Sequence, residues 1–164
     1  YNVATTFTRA AEEGLIDVAA SMHVGPRGPT NDDTVFDYTR DVGFKLVDGY
    51  ELFETGLTNT ANSLVSDLHG RDVYLCFDMD FFDPSCAPGV CTPTWGGASA
   101  REGLGFLQAL SGLNVVGADI NTVSPPHDVG GMTAFLAGTV ALEILTLFCH
   151  AKGLIPDNSQ PACS

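Results

Sequence analysis

The feature that most constrains the fold is a short apolar run that ends abruptly in acids. Residues 73–77 (VYLCF) are apolar almost throughout, and Asp78, Asp80 and Asp83 follow at once. Such a run is typical of a central strand in a parallel sheet that is covered on both faces. Asp forms strands poorly, and a buried carboxylate is costly unless a cation or hydrogen-bond donors compensate it. These acids therefore either cap a turn or hold a cation.

Strand and helix patterns alternate along the rest of the chain. Other apolar runs predict strands at residues 16–24, 44–47 and 113–120. Apolar spacing of three and four residues, together with capping residues, predicts four helices, at residues 36–40, 51–68, 99–112 and 132–150. The first follows N-cap oxygens at 31–33, and the second is predicted to be continuous and to be ended by Gly70. The third begins with a capping box of Ser99 and Glu102. This alternation is typical of an α/β fold with a parallel sheet.

The acids lie where such a sheet places its chemistry. Ligands bind in loops beyond the carboxyl ends of parallel strands, and the loops after Phe77 and after Asp119 both fall there. Because Asp78 and Asp80 are two residues apart, their carboxylates point to the same side in extended geometry. Two close carboxylates repel each other unless a cation lies between them, and Mn²⁺ or Mg²⁺ prefers such oxygen ligands. A solvated acidic turn is the simpler alternative.

Composition excludes some classes of function. The chain has 164 residues, enough for one domain or a large piece of one, and 20 acids against 7 bases give a net charge of −13. That charge disfavours nucleic acid and suits a cationic substrate, a metal or simple solubility. No apolar run of about 18 residues predicts a membrane span and no signal peptide is recognisable. Five cysteines without a C-x-x-C pair favour the reducing cytoplasm.

Several segments together resemble one family. Residues 78–102 (DMDFFDPSCAPGVCTPTWGGASARE) resemble the signature of the ureohydrolases, the arginase and agmatinase superfamily: D-x-D-x-x-D-P-x-x-A-P-G-x-x-T-P-x-x-G-G, then S/T-x-R-E. Residues 117–128 and 130–145 resemble its S-P-P-x-D loop and C-terminal helix. The resemblance implies that residues 1–164 are the C-terminal part of a single ureohydrolase domain, with an incomplete three-layer αβα, arginase/deacetylase-like fold and a mainly parallel sheet.

The resemblance also implies an activity. Ureohydrolases hydrolyse a guanidinium C–N bond and release urea, and they use two divalent ions, usually Mn²⁺ and sometimes Ni²⁺. By position, Asp78 matches the ligand that bridges the ions, Asp80 matches a chelating ligand of one ion, and Asp83 matches a residue that braces the turn behind them. The resemblance further implies a guanidino substrate and a homo-oligomer, a trimer or hexamer, for the full-length protein.

The chain departs from the family pattern in its metal ligands. The family motifs G-G-D-H and D-A-H-x-D do not occur in it. Of its four histidines, His23 fits a core position, His69 and His150 fit helix ends, and His127, in the loop that faces the site, is the candidate catalytic residue. We therefore expect the isolated chain to be inactive, as a fragment or as one partner of a split enzyme.

Two further departures concern the substrate. Thr122 stands where the family has the Glu that pairs with the guanidinium, and Trp95 stands where a proline is more usual. A Thr hydroxyl supplies no charge, and an indole can cover a cation or fill the space that a longer substrate needs. These residues favour a small substrate, with free guanidine as the sharpest hypothesis and guanidinobutyrate or agmatine as larger candidates. The alternative for Trp95 is a packed loop residue.

Two rival functions stay open. One is a pseudoenzyme or regulatory subunit that keeps the fold and assembles with active homologues, which the absent metal motifs favour. The other is a deacetylase-like amidohydrolase of the same fold class. We rank it lower because the acidic motif of those enzymes usually pairs Asp with His, whereas Asp78 is followed here by Met79 and Asp80.

Overall fold

The computed structural model describes residues 5–30 and 34–155. The N-cap oxygens predicted at residues 31–33, and the tail beyond 155, lie outside these ranges. Within them the chain forms two compact units that divide between Leu52 and Phe53. Each unit contains one pair of parallel strands, as the α/β prediction requires.

The first unit is built around a short parallel pair. Its elements are α1 (Thr6–Glu12), β1 (Met22–Val24), α2 (Val35–Val42), β2 (Lys45–Val47) and the beginning of α3 (Gly49–Thr55). On β1 the half-buried ring of His23 packs edge-on to Phe7 and Phe44, with centroids 6.1 and 5.0 Å away. Burial lowers the pKa of His23, which keeps the ring neutral. These contacts agree with the interpretation of His23 as a core residue.

The first predicted strand is shorter than expected. Only Met22–Val24 is a strand, because Val18–Ala20 forms a 3-10 turn. The Asp17 carboxylate accepts a hydrogen bond from the Ala20 amide at 3.3 Å and stabilises that turn. A side chain that bonds the nearby backbone offers an alternative to strand pairing, so the prediction of a strand over 16–24 is wrong before Met22.

The second unit contains the chemistry-bearing strands. Its elements are the end of α3, α4 (Leu57–Asp67), β3 (Asp72–Asp78), α5 (Ala100–Ala109), β4 (Asn114–Asn121) and α6 (Met132–Ala151). β3 and β4 pair in parallel, with Asp78 opposite Asn121, so their carboxyl ends lie side by side. α6 packs on β4 and α5, and α5 also packs on α4. The core of the unit consists of buried apolar side chains: Phe77, Phe82, Leu107, Val115, Val140, Ile144 and Leu147.

The predicted single helix over 51–68 is wrong. The chain forms two helices there, α3 and α4, which are separated by Gly56 with φ +89°. That conformation lies outside the helical region and suits glycine, which has no Cβ. Gly70, at φ +73°, does not cap α4 directly, because α4 ends at Asp67 with Leu68 as its C-cap.

α5 begins as the sequence predicts. The Ser99 hydroxyl accepts a hydrogen bond from the Glu102 amide at 3.3 Å, and the Glu102 carboxylate accepts one from the Ser99 amide at 2.8 Å. This reciprocal pair is a capping box. The Ser99 hydroxyl, which also donates to the Glu102 carboxylate at 2.7 Å, and then the Ser99 amide hold the pKa of Glu102 below its usual value. The predicted capping box is confirmed.

β3 is not a central strand in this structure. Among the described residues it pairs with β4 alone. Tyr74 on β3 is 57% exposed and Val116 on β4 is 48% exposed, so the faces of the pair are only partly covered. The prediction of a strand covered on both faces is therefore wrong for the described residues. The apolar sequence of β3 suits a strand whose two faces are both covered, whereas the exposure of its side chains depends on which segments pack against those faces.

α6 is apolar around most of its circumference. In length and composition it would suffice to cross a membrane, with a mean hydropathy of 1.8. A core helix of a soluble protein meets the same criterion, and α6 does bury Val140, Ile144 and Leu147. Its opposite side leaves large side chains exposed, with Phe135 at 82% and Leu142 at 63%. The helix therefore gives only weak support to a membrane span.

Candidate functional site

Asp78 ends β3 and begins the turn that follows. The 3-10 turn Met79–Phe81 comes directly after it, and the Asp78 Oδ1 atom accepts a hydrogen bond from the Asp80 amide at 3.0 Å. Both aspartates are half-buried. Asp78 therefore caps a turn with one oxygen, which was one of the two expected uses of these acids. Because the other oxygen, Oδ2, is not part of that bond, capping does not exclude a cation.

Two threonine hydroxyls bind the paired aspartates. Thr122 Oγ1 donates a hydrogen bond to Asp78 Oδ1. Thr92 Oγ1 donates one to Asp80 Oδ2 at 2.5 Å. Thr92 belongs to the loop after β3 and Thr122 directly follows β4, so each loop supplies one donor. Hydrogen bonds to the ionised form compensate part of the cost of holding two carboxylates together.

Thr122 has an unusual backbone. Its φ is +65°, and among the described residues it is the one non-glycine with positive φ. A β-branched residue is disfavoured in this region because Cβ crowds the backbone. The conformation is held from the neighbouring loop, where the Cys91 amide donates a hydrogen bond to the Thr122 carbonyl at 2.9 Å. Strain of this kind often marks a functional position.

Asp83 ties together the two ends of the loop after β3. Its Oδ1 accepts a hydrogen bond from the Ser85 amide at 3.0 Å, and its Oδ2 accepts bonds from the amides of Gly96 at 2.9 Å and Gly97 at 3.2 Å. The hydrogen bonds from Ser85 and then those from the glycine amides hold the pKa of Asp83 below its usual value. Asp83 is thus an ionised brace of the loop that carries Thr92.

Gly89 joins that loop to the loop after β4. Its amide donates to the buried Thr133 Oγ1 at 2.8 Å, and its carbonyl accepts from the Ser124 amide at 2.7 Å. A Cβ at this position would lie 2.5 Å from the Cβ of Asp128 and 2.6 Å from its Cα. Only glycine permits such a close approach, so the two loops are locked together behind the aspartates.

Asp128 holds the beginning of α6. Its carboxylate accepts hydrogen bonds from the amides of Val129 at 2.8 Å, Thr133 at 3.0 Å and Ala134 at 3.0 Å. Desolvation raises the pKa of Asp128, but the three amides, Ala134 first, outweigh it and lower the pKa. An acid a few residues before an apolar helix, as at Asp128, is a helix-start signal that the sequence already contains.

A polar cluster lies on the same side of β3 as Asp78. Asp119 accepts hydrogen bonds from the Tyr74 hydroxyl at 2.7 Å, the Cys76 thiol at 3.4 Å and the Asn121 side-chain Nδ2 at 3.0 Å. Burial and then the Asp119 charge raise the pKa of Cys76 to about 11. The Cys76 thiol is half-buried and bonded to two polar side chains, those of Asp119 and Asn121.

His127 and Trp95 lie apart from this hydrogen-bonded set. His127 is exposed in the 3-10 turn Pro125–His127, and its Nδ1 lies 2.8 Å from the Ser124 hydroxyl. Trp95 is 74% exposed, so it is not a packed loop residue. The structure thus joins Asp78 and Asp80 to the threonines, while no hydrogen bond in the described ranges joins His127 or Trp95 to those aspartates.

Sequence reasoning missed the role of Thr92. Thr92 belongs to the family motif, but nothing in the local pattern connects it to Asp80, which is twelve positions away. A hydroxyl residue in a Pro/Gly-rich loop that follows a strand-end acid is a usable signal, because such loops fold back over the strand end. The contact itself became visible only in three dimensions.

The residues present fit a divalent cation in kind but not in number. Asp78 and Asp80 offer carboxylate oxygens, the donors that Mn²⁺ and Mg²⁺ prefer. Both hydrogen bonds to Asp78 fall on Oδ1, which keeps Oδ2 suited to a cation. Within the described ranges, however, no three His, Cys, Asp or Glu side chains lie close enough together to hold a metal ion. The two aspartates alone do not complete a metal site within these ranges.

Parallel strands with paired acids beyond their carboxyl ends define an α/β protein whose candidate site lies at the edge of a parallel strand pair. The chain belongs to the arginase family, because the model of that family matches residues 1–147. It is 37% identical over 153 residues to guanidinopropionase from Pseudomonas aeruginosa, covering 92% of this chain and 48% of that protein. It is also 37% identical to agmatinase from Citrobacter koseri, covering 91% of this chain and 46% of that protein.

Solved structures agree with this assignment. Proclavaminate amidinohydrolase from Streptomyces clavuligerus matches with a TM-score of 0.85 and 38% identity, over 92% of this chain and 50% of that one. Arginase from Bacillus caldovelox matches with a TM-score of 0.71 and 29% identity, over 81% and 44%. The predicted family and fold class are confirmed: the chain has part of the three-layer arginase fold. It spans about half the length of the relatives it matches.

Proposed function

We propose that the full-length protein hydrolyses a C–N bond of a small guanidino compound and releases urea, with two divalent ions held in part by Asp78 and Asp80. The observation that supports this most is the pair of aspartates at the end of β3, each bound by a threonine hydroxyl, in a chain of the arginase family. Relatives named guanidinopropionase, guanidinobutyrase and agmatinase support a guanidino substrate. Mn²⁺ is the first choice of metal and Ni²⁺ the second.

Residues of this chain would take the following roles in the reaction. Asp78 and Asp80 would hold the ions, and Asp83 would brace the loop behind them. When bound, such ions supply a water molecule that is nucleophilic at neutral pH. His127 would move a proton to the leaving amine, because its Nδ1 partner, the Ser124 hydroxyl, fixes the ring and directs Nε2 away from it.

Thr122 and Trp95 would select a small substrate. The Thr122 proton is donated to Asp78, so its oxygen keeps lone pairs that can accept from guanidinium N–H groups. Without a carboxylate at this position, the guanidinium gains no ion pair there. The exposed Trp95 indole can cover a flat cation and occupy the space of a longer chain. Free guanidine is therefore the proposed substrate, ahead of guanidinobutyrate and agmatine.

A substrate panel tests this proposal. The full-length protein, loaded with Mn²⁺ or with Ni²⁺, is assayed for urea release from guanidine, guanidinobutyrate and agmatine. Guanidine should be the preferred substrate, and Trp95→Ala should reduce that preference. Tyr50→Ala is the matched control, since Tyr50 is an equally exposed aromatic, at 79%, with no proposed role. Activity on agmatine far above that on guanidine would reject guanidine as the substrate.

The second candidate is a non-catalytic subunit that assembles with an active homologue. It is favoured by the absence, within the described residues, of a complete metal-binding group. Metal titration of the purified chain, first alone and then with a family homologue, separates the two functions. A chain that binds no metal alone and alters the activity of its partner would favour the subunit. For the full-length protein we further propose a cytoplasmic homo-oligomer, a trimer or hexamer, which size-exclusion chromatography tests.

A further inference from the structure

We infer that Thr122 is a positioning residue for the Asp78 carboxylate: its hydroxyl selects which Asp78 oxygen faces the cation. This inference rests on the proposed function, which makes Asp78 a metal ligand. It extends that function because it gives Thr122 a second role, directed at the metal ligand and separate from any contact with the substrate. Three observations carry it: the strained backbone, the bonds that maintain it, and the side of Asp78 that the hydroxyl binds.

The first observation is that Thr122 adopts a costly conformation. At φ +65° a threonine is less favourable than a glycine or asparagine would be. A residue without a Cβ would satisfy the backbone at no cost. A threonine there is explained if its side chain does something that glycine cannot. The one side-chain hydrogen bond of Thr122 in the described structure is the bond to Asp78.

The second observation is that the neighbouring loop maintains this conformation. The Cys91 amide binds the Thr122 carbonyl at 2.9 Å, and Val90 pairs with Val123 as an isolated antiparallel bridge. These contacts hold Thr122 itself and the residue that follows it. The backbone that carries the hydroxyl is therefore fixed by contacts with the neighbouring loop, and this holds the hydroxyl in position to bind Asp78.

The third observation is that the hydroxyl and the Asp80 amide bind the same oxygen of Asp78. Both donate to Oδ1, so the carboxylate is held by one end and Oδ2 is left for a cation. A neutral donor suits this task, because it fixes the carboxylate without competing for it as a lysine would. Groups that orient a metal ligand from behind typically change metal affinity 10–100-fold when they are removed, about the effect expected here.

The test separates the hydroxyl from the backbone with three variants of the full-length protein. Thr122→Ser keeps the hydroxyl, Thr122→Gly removes both the hydroxyl and the strain, and Thr122→Val removes the hydroxyl but keeps the strain. Mn²⁺ affinity is measured by equilibrium dialysis, and the stability of the metal-free protein by urea denaturation. The serine variant should bind Mn²⁺ as the wild type does, whereas the glycine and valine variants should bind about 10–100-fold more weakly.

Stability should follow a different order. The glycine variant should be at least as stable as the wild type, and the valine variant the least stable, because the backbone strain decides the order. If the glycine variant binds Mn²⁺ as tightly as the wild type, or if affinity simply follows stability, Thr122 is not a positioning residue. If the wild type retains no Mn²⁺ at all, the proposed function fails and this inference fails with it. The serine and glycine variants decide the matter even if the valine variant does not fold.

Discussion

Replacing Gly89 with alanine tests how closely the two loops of the site approach each other. The added Cβ would lie 2.5 Å from the Cβ of Asp128 and 2.6 Å from its Cα. Non-bonded carbon atoms are most stable at about 3.5–4.0 Å, so one of the two backbones must move by about 1 Å. The movement would strain the bond from the Gly89 amide to the buried Thr133 hydroxyl.

The cost follows from two opposing effects. Overpacking against a backbone destabilises a fold by about 1–3 kcal/mol. Gly→Ala also restricts the unfolded chain, which returns about 0.4–1 kcal/mol where the backbone is compatible. The Gly89→Ala variant should therefore lose about 1–2 kcal/mol in its free energy of unfolding. Its Mn²⁺ affinity should fall as well, because the same loop carries Thr92, which binds Asp80.

The assay is urea denaturation of the metal-free, full-length protein, followed by circular dichroism. Gly105→Ala is the matched control, since Gly105 lies inside α5 with no heavy atom within 4 Å of an added Cβ. The free energy of unfolding of that variant should rise by roughly 0.5–1 kcal/mol, the usual advantage of alanine over glycine in a helix. If Gly89→Ala is as stable as the wild type while Gly105→Ala behaves as expected, the close approach of the loops is refuted.

Three further predictions concern single side chains of the second unit. Asp78→Asn should weaken Mn²⁺ binding more than about 100-fold, because it removes a ligand charge and not a supporting bond. The control variant Asp72→Asn, at the other end of β3, should bind Mn²⁺ as the wild type does. Equal Mn²⁺ binding by both variants would discard the assignment of Asp78 as a ligand. Hydrogen bonds lower the pKa of Asp83, so its contribution to stability is present above the unfolded-state pKa and is lost as pH falls through the folded-state pKa. The stability difference between wild type and Asp83→Asn should therefore be largest near neutrality and shrink below about pH 4, and a difference that grows in acid would contradict this sign. Because the pKa of Cys76 is raised to about 11, iodoacetamide at about pH 8 should modify it far more slowly than the exposed Cys91, and equal rates by peptide mass spectrometry would exclude the polar cluster.

Local signals predicted most of the secondary structure. The capping box at Ser99, the strand before Asp78 and the long apolar helix after Gly131 all appear as expected. The failures also have local causes: Gly56 breaks the helix predicted over 51–68, and the Asp17 carboxylate turns the chain where a strand was expected. In both cases one residue, through its backbone conformation or its side-chain hydrogen bond, overrides the apolar spacing.

The candidate site was predictable in its acids but not in their surroundings. Asp78 and Asp80 stand two positions apart in the sequence, at the end of a recognisable strand. Their partners do not: Thr92 is 12 positions from Asp80, and Thr122 is 44 positions from Asp78. Such bonds form only after the strands have paired and the loops have folded over their ends, so no window along the chain contains them.

The amino-acid sequence alone therefore determined the alternation of strands and helices, the position of the acids at a strand end and the membership of the arginase family, because these depend on short-range patterns and motif spacing. Only the tertiary structure decided which groups bind those acids and that Thr122 holds its strained backbone. The physical reason is that each of these depends on atoms brought within about 3 Å of each other by the pairing of β3 with β4, a contact that sequence proximity does not encode.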